Sequence, residues 1–67
     1  MEYTREELQE AKRQIASTLH KLRETIQTLE AKENAQRYKS QITLAKRGVE
    51  AFTIACNLVE RELSGAE

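Results

Sequence analysis

Two apolar stripes, separated by a short polar turn and sharing one register across it, leave this chain very few ways to fold. In the first, Leu8, Ile15, Leu22 and Leu29 recur at heptad intervals, with Leu19 and Ile26 between them and Lys12 as the polar interruption. Such spacing keeps one edge of a helix against a partner, here with Leu8, Ile15, Leu22 and Leu29 at d and Lys12, Leu19 and Ile26 at a. The second stripe is Tyr38, Ile42, Ala45, Val49, Phe52, Cys56, Val59 and Leu63, with spacings that alternate between four and three. Proline is absent and only two glycines occur, so nothing interrupts long helices.

The helix ends carry their own signals. Thr4 and Glu7 form a Thr-x-x-Glu capping box, and Tyr3 and Leu8 stand where a hydrophobic staple would pair them. Ser64-Gly65 predicts a stop, since glycine accepts the left-handed backbone common just past a helix end. In the stretch 33–37, Asn34 is able to end one helix or cap the next. The reading is a single domain over 1–67, with one helix over about 4–33, a turn over about 34–37 and a second helix over about 38–64. Folding back at that turn sets Leu8 against Leu63, Ile15 against Cys56, Leu19 against Phe52, Leu22 against Val49, Ile26 against Ala45 and Leu29 against Ile42. Every a then faces a d, as antiparallel packing requires. One uninterrupted helix is the competing reading, and it leaves the shared register unexplained.

A chain of 67 residues needs support beyond its own core, which disulfides, a metal or oligomerisation ordinarily supply. One cysteine and one histidine are too few for an internal disulfide or an ordinary structural metal site, so oligomerisation is the support expected and no cofactor is implied. A place for it exists on the second helix. Leu44, Gly48, Ala51, Ala55 and Leu58 form another four-three stripe, displaced by about 110° from the first. Run antiparallel against its own copy, this stripe sets Leu44 on Leu58 and Ala51 on Ala51, with Ile54 beside the contact, the self-complementary form of a two-fold interface. Gly48 costs about 1 kcal/mol relative to alanine inside a helix, and close approach of another backbone would explain it. The fold expected is therefore all-α: a coiled-coil-like antiparallel hairpin that dimerises into a homodimeric four-helix bundle. The alternative is that the small residues simply face solvent.

Eleven basic and eleven acidic side chains cancel, which argues against a nucleic-acid or acidic-membrane partner. No apolar run approaches the ~20 residues that span a bilayer. A lone cysteine without a signal-peptide pattern fits the reducing cytoplasm. Individual candidates for chemistry are weak. His20 has Glu24 one turn on, but no further ligand motif accompanies them, so the pair reads as a helix-surface contact. Cys56, facing Ile15, reads as a small buried hydrophobe. Lys12, beside Val59, lays its stem on apolar surface while its ammonium reaches water, or fixes register as a lone polar a residue. Arg37, Lys39, Lys46 and Arg47 form the one basic concentration and the one possible anion patch, without aromatic stacking residues. No nucleophile with a base and no glycine-rich phosphate loop is present.

The stretch Ile15-Ala-Ser-Thr, then Lys21 and Leu29, then Ser40 through Phe52, and the Leu-Val-Glu-Arg-Glu-Leu tail from Leu58 to Leu63 resemble short helical-hairpin proteins of clostridial and related Firmicutes genomes. The resemblance implies a bacterial origin and no particular activity. The two-helix phosphatases of sporulation response regulators are set aside, because their Ser-Gln-Glu-Leu-Asp motif would fall at Ser40-Gln41-Ile42-Thr43-Leu44, where both acidic residues are missing. The function expected is a small non-enzymatic interaction or assembly protein acting through its helical exterior. The alternative is a nucleic-acid-associated regulator using the basic first half of the second helix.

Overall fold

The capping box that opens the first helix is complete. In the computed structural model, which describes residues 3–65, the Glu7 N–H donates to Thr4 Oγ1 at 3.0 Å and the Thr4 N–H donates to Glu7 Oε1 at 2.9 Å. Two donors that a helix start leaves open are thereby satisfied. Helix α1 runs Arg5–Glu30, a 3-10 turn follows at Ala35–Tyr38, and helix α2 runs Lys39–Gly65; no strand occurs among the described residues.

Helix α1 ends at Glu30, earlier than the heptads suggest. Its backbone tightens there: the Ala31 N–H still reaches the Gln27 carbonyl at 3.1 Å, but the Lys32 N–H turns to Leu29 at 3.3 Å. Asn34 caps through its main chain, its carbonyl accepting from the Arg37 N–H at 2.9 Å, and its side chain makes no capping bond. Lys32 then lies over the ring of Tyr38, its Nζ 5.9 Å from the centroid. The stop expected at Ser64-Gly65 is a correction. Helix α2 continues through Gly65, and no described glycine has the left-handed backbone.

The two helices pack side by side and antiparallel in a rod of 50 × 15 × 14 Å. Contacts between them run from Arg5 with Leu63, through Lys12 with Glu60 and Leu22 with Gly48, to Glu30 with Lys46, one number falling as the other rises. Each helix covers only one side of its neighbour, so burial is shallow. Leu8 and Leu19 are the only described residues with a relative exposure below 9%, at 8% and 7%. Ile15, Leu22, Ile26 and Leu29 of the first stripe are half-buried, as are Ile42, Ala45, Val49, Cys56, Val59 and Leu63 of the second. Phe52 keeps 38% of its surface exposed.

Candidate functional site

The rod has two unlike sides, and ion pairs define the first. Lys12 Nζ lies 2.9 Å from Glu60 Oε2, Lys46 Nζ lies 3.1 Å from Glu30 Oε2, and Arg5 Nη1 donates to the Leu63 carbonyl at 3.4 Å. All three bridge α1 and α2. The hydrogen bond that Lys12 donates to Glu60, together with the nearby charge of that carboxylate, raises the pKa of Lys12 above the ordinary lysine value. Lys12 is half-buried, with its ammonium held by Glu60.

The second side is apolar. At 100° per residue, Leu44, Ala51, Ile54 and Leu58 fall within about 80° of one another on α2, turned away from the ion pairs. They are wide open: Leu44 is 70% exposed, Ile54 60% and Leu58 54%, with Ala51 exposed between them. Gly48 and Ala55 border this face and are half-buried, because α1 lies along them. A β-carbon on Gly48 would stand 3.2 Å from Leu22 Cδ1. The close approach inferred for Gly48 is therefore made by a side chain of the same subunit, and the glycine needs no second copy to explain it. At the open end of the hairpin the apolar face deepens into a notch lined by Tyr3, Leu8, Leu58, Val59 and Glu62. Tyr3 and Leu8, the residues of the expected staple, both line this notch, and Tyr3 is 59% exposed.

The chain matches no protein-family model, curated protein or solved structure. What it can do is therefore argued from its own surface. The basic residues do not form one patch. Lys39 and Lys46 line a groove with Glu30, and Lys46 is engaged with that carboxylate, whereas Arg47 follows Lys46 by about 100° and falls within the arc of the apolar face, between Ile54 and Leu58. His20 Nε2 lies 3.2 Å from Glu24 Oε2 with both side chains largely in solvent. Among the described residues no three His, Cys, Asp or Glu side chains gather to hold a metal ion, and no helix is long and apolar enough to cross a membrane. Cys56 is a free, half-buried thiol. Glu10 accepts from Gln14 at 2.7 Å and pairs with Arg13, contacts that hold its carboxyl below the usual range.

The cross-helix ion pairs were absent from the sequence reading. Lys12 with Glu60 was within reach of it, since opposite charges beside a common register are the usual edge of a helical seam. Glu30 with Lys46 was not, because that contact depends on where α1 stops.

Proposed function

We propose that the chain is a non-enzymatic assembly protein that works as a homodimeric four-helix bundle, with the two copies of α2 at its centre. The observation that carries this reading is the open face of Leu44, Ala51, Ile54 and Leu58 on a hairpin with only two buried residues among those described. Soluble monomers rarely leave contiguous apolar faces in water, and such faces usually mark contacts with other proteins. Within the bundle the charged sides become the exterior, and a further protein would dock on them helix against helix. The free thiol of Cys56 is in keeping with a cytoplasmic setting. The likeness to short Firmicutes hairpin proteins is in keeping with a bacterial one.

Concentration-dependent melting tests the reading. A chain stabilised by its own copy melts higher as its concentration rises, because association draws the equilibrium toward the folded state. Ala51→Arg places two charges at the two-fold contact and should lower the melting temperature and abolish its concentration dependence. A wild-type melting temperature independent of concentration, or an Ala51→Arg chain that behaves as wild type, would remove the bundle.

A further inference from the structure

The notch at the open end of the hairpin and the exposed Leu44 at the other end of the same face are complementary features. We infer that, in the dimer, Leu44 of each copy seats in the notch formed by Tyr3, Leu58, Val59 and Glu62 of the other. This rests on the dimer reading above and adds the notch as the seat of Leu44, with a part for Tyr3 ahead of α1. Three observations support it.

The first is area. The chain exposes 5505 Å², about 1,200 Å² more than the ~4,300 Å² that a compact monomer of its mass presents. A standard protein interface covers about 800 Å² on each partner. The surplus is thus large enough for one such contact.

The second is spacing. Leu44 and Leu58 stand symmetrically about Ala51 and within about 40° of each other around the helix. Antiparallel docking across a two-fold axis at Ala51 therefore brings Leu44 to Leu58 twice, once at each end. The notch sits at Leu58 and has no described residue of its own chain filling it. Gly48 and Ala55, already against α1, lie at the margin of this contact. Arg47 comes opposite Ile54 of the other copy, where its aliphatic stem covers apolar surface while the guanidinium reaches water.

The third is charge. The same docking carries Arg37 of one copy to within a helical turn of Glu62 of the other, again at both ends. Neither has an ion-pair partner among the described residues, and both are exposed. Opposite charges at the rim of an apolar contact fix its register and direction. Parallel docking would instead bring each of these charges to its own kind.

Disulfide mapping in the full chain tests the arrangement. In a Cys56→Ala background, a bond requires α-carbons about 4.4–6.8 Å apart, whereas the two Leu44 positions would stand about 21 Å apart along the axis. Ala51→Cys chains should cross-link to themselves under mild oxidation. Leu44→Cys chains should not, but should cross-link to Leu58→Cys chains when the two are mixed. Self-linkage of Leu44→Cys chains would overturn the antiparallel docking and leave the dimer standing, as would a dimer by sedimentation in which none of these pairs forms. Monomers in the reduced Cys56→Ala chain, with helix content retained, would remove the docking and the dimer together. Charge reversal supplies a readout without cysteines. Glu62→Arg alone should weaken association and Arg37→Glu with Glu62→Arg should restore it; failure of the double variant to recover would overturn the docking.

Discussion

At Gly48 a β-carbon would meet Leu22 Cδ1 at 3.2 Å, a few tenths of an ångström too close for comfort. Against that stands the roughly 1 kcal/mol that alanine gains over glycine inside a helix. Leu22 is only half-buried and the atom met is the far end of its flexible side chain, so we expect the helix preference to win. We expect Gly48→Ala to stabilise the protein by about 0.5 kcal/mol in urea unfolding and Gly48→Leu to destabilise it by about 1–3 kcal/mol through overpacking. A destabilised alanine variant would mean that the helices cannot yield at this point. Lys12 makes a prediction in pH. Its pKa is raised in the fold, first by the hydrogen bond with Glu60, so its stabilisation is complete below the ordinary lysine value and is lost as pH rises through the higher folded value. Lys12→Met keeps the stem and removes the proton. Melting temperatures of wild type and variant should therefore converge through the alkaline range, and a constant difference would contradict the pairing. Glu10 has the opposite sign: its lowered pKa gives stability above the ordinary carboxyl value that is lost as pH falls through the folded one.

Helix α1 and helix α2 were legible in the sequence to different degrees, and the differences have physical causes. The start of α1 was readable because a capping box is local, four residues satisfying one another without help from the rest of the chain. Thr4→Ala should accordingly cost about 1 kcal/mol, read as a loss of melting temperature. The end of α1 was not readable. The heptad pattern continues past Glu30 only as polar residues, which say nothing about where the backbone tightens into a turn. Gly65 misled for a related reason: glycine permits a left-handed stop but does not compel one, and α2 runs through it. The pairing direction was legible because the two stripes flank one short turn and share a register across it. Leu19, 7% exposed, is the deepest point of that pairing. Leu19→Ala should cost about 2–5 kcal/mol, enough to unfold much of so small a domain in circular dichroism at room temperature. Gly48 was legible as a close approach but not as to whose. It lies at the border between the seam and the outer stripe, and only the position of Leu22 decides the matter.

For the molecule as a whole, shape is the governing fact. A rod of 50 × 15 × 14 Å with 5505 Å² of surface exposes more than a compact chain of its mass, and the proposed dimer would cover part of that excess. Its two sides divide the work: cross-helix ion pairs on one, and Leu44, Ala51, Ile54 and Leu58 on the other. The second side was legible in sequence as a stripe, because periodicity survives without knowledge of contacts. The notch at Tyr3 and Leu58 was not, since it exists only once the fold brings residues from the two ends of the chain together. Sedimentation equilibrium of the unmodified chain across the micromolar range is the most direct test of the central claim. We predict a single species of twice the 7.7 kDa chain mass, dissociating only on dilution. A well-folded species at 7.7 kDa throughout that range would contradict the account.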